Sequence, residues 1–191
     1  MLCRYIVYLA SLVLITPIFA KDVSVDEFLK NFSKNSEFTC SLSVSEITPV
    51  DTFHYDGFLA VGVDKFYAHI GDDFYLQVDT AEMLTWSDGS DAYSIDGLPF
   101  FDLVRLKNEL AKKFDITAKN IDGKIYIVGK RKGDDVSVDS FEFCTDNKFV
   151  PKECKIVYSK GNKITINFCD VSFGKPSDKL FNLPKGVGIV R

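Results

Sequence analysis

The stretch from Gly57 to Asp96 constrains the fold more than any other part of the chain. Short apolar runs rich in Phe, Tyr, Leu and Val are separated there by the turn dipeptides Val63-Asp64, Gly71-Asp72 and Asp88-Gly89. That punctuation predicts a β-meander. Phe66, Ala68 and Ile70 alternate with Tyr67 and His69. Phe74, Leu76 and Val78 alternate with Tyr75 and Gln77, and Leu84 and Trp86 flank Thr85. Successive strand side chains point to opposite faces, so one face of this sheet is expected to be persistently apolar. Helices, a second sheet or a ligand must cover such a face.

Further strands are expected on both sides of the meander. Phe38, Cys40, Leu42 and Val44 alternate with Thr39, Ser41, Ser43 and Ser45, which reads as a half-buried strand with Cys40 on its inner side. From Phe114 the segments FDITA, KIYIVGK, VSVDSFEF, CKIVYS and KITINF, with turns at Asp122-Gly123 and Gly161-Asn162, read as antiparallel neighbours. The segment from Asp178 to Val187 reads as a closing strand. Two stretches instead carry helical periodicity. Ser24 and Glu27 form a capping box ahead of an apolar stripe at Val25, Phe28, Leu29 and Phe32. Pro99 opens a second stripe through Leu103, Val104, Leu106 and Leu110, with Phe100 and Phe101 at its entrance. Each helix either closes an ordinary core or forms a lid over the apolar face. No repeat or low-complexity linker divides the chain, so one domain is expected from residue 21 to 191.

Residues 1–20 read as an export signal: Arg4 precedes an apolar run from Ile6 to Ile15, and a small residue, Ala20, offers the cleavage point. The run is far shorter than the ~20 residues a membrane span needs. The chain is therefore expected to be exported, with the leader removed after Ala20. The formal net charge is −4, and it becomes more negative once Arg4 is removed. A nucleic-acid partner would require a concentrated basic face, and none is present. Four cysteines remain after the signal: Cys40, Cys144, Cys154 and Cys169. In an exported chain an even number favours disulfides. The loop TDNKFVPKE brings Cys144 and Cys154 opposite each other if it is a simple hairpin, and Cys40 with Cys169 is the further pair in one of the three connectivities that four cysteines allow. No zinc spacing involves His54 or His69, and neither a metal nor a cofactor is expected.

Nucleophile elbows, HExxH helices and glycine-rich phosphate loops are absent from the sequence. Acidic pairs such as Asp72-Asp73 fall at predicted turns, where Asp is favoured for local hydrogen bonding. These readings favour a binding protein over an enzyme. The aromatic loading, 17 Phe with a lone Trp86, suits either a core or a concave site for an acyl chain.

Three pieces of sequence, in order, resemble the periplasmic outer-membrane lipoprotein carrier family (LolA-like). They are Gly57-Phe58-Leu59-Ala60-Val61 followed by Phe66; Ser87-Asp88-Gly89 followed by Tyr93; and Phe181 to Val187 with Pro184-Lys185-Gly186-Val187. The resemblance implies a mainly β fold with α-helices: a single strongly curved antiparallel sheet, an unclosed β-barrel, with helices covering its concave apolar face. It implies a carrier that shuttles lipoproteins, or another lipid, between inner and outer membranes with their acyl chains in a hydrophobic cavity. Expected partners are those acyl chains, an inner-membrane release transporter and an outer-membrane acceptor, with the carrier itself monomeric. The expected lipid-facing set is Phe28, Phe32, Leu59, Phe66, Leu84, Trp86, Tyr93, Phe100, Phe101 and Leu103. Phe66 and Tyr93 match family positions and the others are placed by facing, with Phe58 competing with Leu59 for the inner side. Where the family commonly carries an arginine and a proline, this chain has Gly62-Val63-Asp64-Lys65, so a basic lid latch is not carried over. The alternative reading is a periplasmic sensor or interaction module on the same fold.

Overall fold

The computed structural model describes residues 37–78, 82–96, 110–133 and 137–190. In chain order the strands are β1 (Phe38–Ile47), β2 (Thr52–Val61), β3 (Lys65–Ile70), β4 (Asp73–Val78), β5 (Glu82–Ser87), β6 (Ala92–Asp96), β7 (Phe114–Ile121), β8 (Lys124–Arg131), β9 (Val138–Asp146), β10 (Pro151–Tyr158), β11 (Lys163–Phe173) and β12 (Ile189–Val190). They form one unclosed, highly curved sheet in the order β12-β6-β5-β4-β3-β2-β1-β11-β10-β9-β8-β7. Every pairing is antiparallel except that of β12 with β6.

Local chemistry builds the hairpins and one long-range pairing joins them. At the β7–β8 turn Asp122 and Gly123 both have positive φ, 52° and 75°. That is the geometry of a two-residue turn whose twist matches the strands it links. The pairing of β1 with β11, from Phe38↔Phe173 to Ile47↔Lys163, fuses the meander to the later hairpins.

The inward face carries one continuous core. It takes Phe38, Cys40, Leu42 and Val44 from β1, Leu59 and Val61 from β2, Phe66 and Ala68 from β3, and Tyr75 from β4. Phe141 and Phe143 of β9, Cys154 and Ile156 of β10 and Ile164, Ile166 and Phe168 of β11 belong to it as well, as do Ile125 and Ile127 of β8. Aromatic rings set edge-on, Phe114 on Phe141 and Phe143 on Phe168, fill its width. Phe141 lies directly over Gly129: a Cβ at that position would come within 2.1 Å of the ring. The glycine is the space the ring occupies.

The expected helical cover over the concave face is corrected. The described residues are nearly all β, with helical geometry only at 110–113 and in a 3₁₀ turn, Asp178–Phe181. The cover among them is supplied by the curvature itself, which turns bulky side chains from both halves of the sheet into one cluster. The two proposed helices, Val25 to Phe32 and Pro99 to Leu110, lie outside the described residues apart from Leu110. The closing strand expected from Asp178 to Val187 is corrected too: that segment is the 3₁₀ turn and irregular chain leading to the short β12.

The disulfides are likewise corrected, since Cys40, Cys144, Cys154 and Cys169 are all free thiols. The register pairs Glu153 with Cys144 and Cys154 with Phe143, one residue off the pairing a simple hairpin would give. A slip of one residue reverses facing, so Cys154 enters the core while Cys144 faces outward. Cys40 is buried, whereas Cys169 is exposed opposite Ser41 at a register irregularity.

Candidate functional site

The meander half of the sheet is apolar on both sides. Register places Tyr75 with Ala68 and Thr85 on the inner face, and therefore Phe74, Leu76 and Val78 on the outer face. Leu84 pairs with Leu76 and Trp86 with Phe74, so these two residues also face outward. Phe74 and Trp86 stack with ring centroids 5.4 Å apart and 8° between planes, and His69 stacks on Phe74 at 5.7 Å. A second cluster forms around Ala60, Leu76, Trp86, Ala92 and Phe181, with Phe58, Tyr67, Leu84, Leu180, Leu183 and Val187 against it. The C-terminal segment is thus a strap across an apolar outer surface.

Polar contacts fasten both ends of the strap. At one end Asp178 accepts from the Lys65 and Lys175 ammonium groups, each at 3.1 Å, and Lys65 also sits over the Phe181 ring. Those hydrogen bonds, the one from Lys65 foremost, hold the Asp178 carboxyl below the usual range. At the other end the Gly188 N–H donates to Asp91 Oδ1 at 2.9 Å, and the Ala92 N–H donates to Gly188 O at 2.8 Å. This seats β12 alongside β6.

Where β4, β5 and β6 meet the short β12 lies a cavity of about 850 Å³ lined by Leu76, Val78, Glu82, Leu84, Tyr93, Ser94, Ile189 and Val190. Its volume and apolar lining with a few polar groups are those of a small-molecule site. Of the ten residues selected from sequence, the structure brings Leu84 and Tyr93 together here. Leu59 and Phe66 are fully buried in the inner core, and Trp86 is buried in the outer cluster. Phe28, Phe32, Phe100, Phe101 and Leu103 lie outside the described residues. Sequence reasoning misses Leu76 and Val78, whose alternation is visible but whose face is not. It also misses Ile189 and Val190, which form too short an apolar pair to read as a strand.

Neither Cys40 nor Cys154 offers a nucleophile. Burial, with a smaller contribution from neighbouring Cys169, pushes the Cys40 thiol up to about 12, and burial pushes Cys154 up as well. Both stay protonated at neutral pH. Among the described residues no group of three or more His, Cys, Asp or Glu is placed to hold a metal ion. Among the same residues no helix is long and apolar enough to cross a membrane.

No curated protein sequence matches the chain. Solved structures do. A conserved, uncharacterized protein from Thermus thermophilus aligns with TM-score 0.56 at 12% identity, over 88% of this chain and 99% of that one. A LolA superfamily protein from Nitrosomonas europaea aligns with TM-score 0.45 at 10% identity, over 85% and 99%. The MucA/MucB complex of Pseudomonas aeruginosa aligns with TM-score 0.40 at 14% identity, over 83% and 60%. The Thermus likeness speaks for the fold alone. A family model, outer membrane lipoprotein carrier protein LolA, matches residues 74–184, more than half of the sequence and the whole span from the outer-face aromatic stack to the strap, and the chain belongs to that family.

Proposed function

We propose that this protein is a periplasmic carrier that binds acyl chains, of a lipoprotein or another lipid, and acts without chemistry of its own. Its family is one of periplasmic carrier and binding proteins, which supports the location and the role. The observation that carries the reading is the cavity at the β12 edge of the meander, where Leu76, Val78, Leu84, Ile189 and Val190 supply apolar wall and Glu82, Tyr93 and Ser94 complete the lining. Each CH₂ buried there is worth about 0.8 kcal/mol, which is why an acylated molecule needs such a shelter to cross water. In this reading residues 1–20 are an export leader removed after Ala20, and residues 21–191 are the carrier domain. An inner-membrane release transporter and an outer-membrane acceptor are the partners such traffic requires.

Native mass spectrometry of protein isolated from the periplasm tests the proposal directly, with bound lipid or lipoprotein expected. Ile189 is 48% exposed, so Ile189→Asp should leave the melting temperature unchanged while weakening palmitate binding about tenfold or more. A wild-type protein that carries no lipid and binds no palmitate would leave the alternative, a sensor or interaction module on the same fold.

A further inference from the structure

The β1–β2 hairpin is built differently from the others. Its tip exposes three large apolar side chains: Val50 at 93%, Ile47 at 43% and Phe53 at 42%. They point in different directions. Ile47 lies on the outer face, in line with Ser43 and Ser45, and Phe53 lies on the inner face opposite Glu46, while Val50 sits at the apex. A half-buried hairpin shows apolar residues on one side only.

The tip is ordered and it projects. Thr48 organises the turn: its N–H and hydroxyl donate to Asp51 O at 2.8 and 3.1 Å, and its Oγ1 accepts from the Asp51 and Val50 N–H groups. Asp51, the one acid in the turn, accepts from the Thr52 N–H at 2.7 Å. On one side β2 joins β3 only from Gly57↔Ile70, so the strand from Thr52 runs past its neighbour. At about 3.3 Å per residue that overhang is roughly 15 Å. On the other side stands the β10–β11 turn with Lys160, and Lys163 lies directly opposite Ile47.

The geometry points to this hairpin as a wedge that enters the surface of a lipid bilayer carrying anionic headgroups. A protein partner laid against the hairpin would cover one side of it. A bilayer surrounds the tip and accepts Ile47, Val50 and Phe53 together, at the depth of about 5–10 Å typical of interfacial insertion. Lys160 and Lys163, set beside the apolar tip, are then level with the phosphates. The hairpin stands apart from the cavity at β12, so the wedge is a docking device for the membrane and is independent of the acyl-chain site.

Vesicle co-sedimentation of the full mature chain tests the inference. Wild type should bind phosphatidylethanolamine–phosphatidylglycerol vesicles more strongly than phosphatidylcholine vesicles, with binding weakened by salt. Val50→Asp should lower the partition coefficient about tenfold or more, since it replaces an inserted apolar side chain by a charge. Lys163→Gln should weaken binding severalfold to the anionic vesicles only. Val63→Asp, at the 64% exposed turn between β2 and β3, should bind as wild type does. Equal losses in Val50→Asp and Val63→Asp, or a wild type that ignores vesicles, would overturn the wedge. Vesicle binding without palmitate binding would instead retain the wedge and remove the carrier reading.

Discussion

The meander half and the later half of the sheet share one inner core and differ on their outer faces. Outside β3–β5 the surface is Tyr67, His69, Phe74, Leu76, Leu84 and Trp86, stacked and roofed by the C-terminal strap. Outside β9 and β10 it is Glu142, Glu153 and Lys155, with Lys155 bridging both acids, and Lys152 reaching Asp146. The polar surface needs nothing over it, because water already satisfies it. The apolar surface must be covered, and the candidate lipid cavity lies where that cover gives way to β12, over Leu76, Val78 and Leu84.

The largest effect expected from breaking that contrast comes from Trp86→Ala. It removes a buried indole stacked on Phe74 and should cost about 3–5 kcal/mol, read as a lowered denaturant midpoint. A cost below about 1 kcal/mol would show that the outer cluster is not a second core. Next is Gly129→Ala in the other half, whose methyl group would collide with Phe141. Overpacking of that kind costs about 1–3 kcal/mol, and Phe141→Leu in the same background should recover part of it.

Glu46 sharpens the comparison at the rim of the shared core. It faces inward between Phe53 and Ile164, and burial raises its carboxyl above the usual range. The folded state therefore binds the proton more tightly than the unfolded chain does. Stability is greatest with Glu46 protonated and falls as pH rises from the ordinary glutamate range through the raised value. Glu46→Gln should consequently raise the melting temperature at neutral pH, and the gain should vanish in acid below the ordinary glutamate range. A gain that persists there would assign the effect to packing. The smallest effect belongs to Lys155→Ala on the polar outer face, where an exposed ion pair contributes about 0.5 kcal/mol and high salt should erase the difference.

Much of this architecture is legible in the residues. The alternation of Phe38, Cys40, Leu42 and Val44 gives the facing of β1 correctly, and the Asp122-Gly123 and Gly71-Asp72 dipeptides mark true turns. Phe66 falls on the inner face as its alternation with Tyr67 suggests, while the choice between Leu59 and Phe58 is made by pairing, which turns Leu59 inward. Elsewhere the signal is ambiguous for a physical reason. In β4 the run Phe74-Tyr75-Leu76-Gln77-Val78 is apolar at every position but one, so period-two alternation cannot say which set turns inward. Pairing with β3 decides it, and it sends Tyr75 and Gln77 inside, with Leu84 and Trp86 on the opposite face from Phe66. The cysteine pairing fails on the same ground, since one residue of register at the β9–β10 turn separates Cys144 from Cys154 by the thickness of the sheet.

Sequence alone determined that the chain builds a meander continued by hairpins, that it lacks the common catalytic motifs, and which family it resembles. These properties rest on local patterning, on turn chemistry and on the order of short motifs along the chain. Tertiary structure alone decided that β1 joins β11, that the meander is apolar on both sides, and that residues after Asp178 form a strap instead of a strand. Each of these depends on which distant segment supplies hydrogen bonds and apolar contact to a given strand. A strand carries the same alternation whatever lies beside it, so that choice is made only when the whole sheet closes around its core.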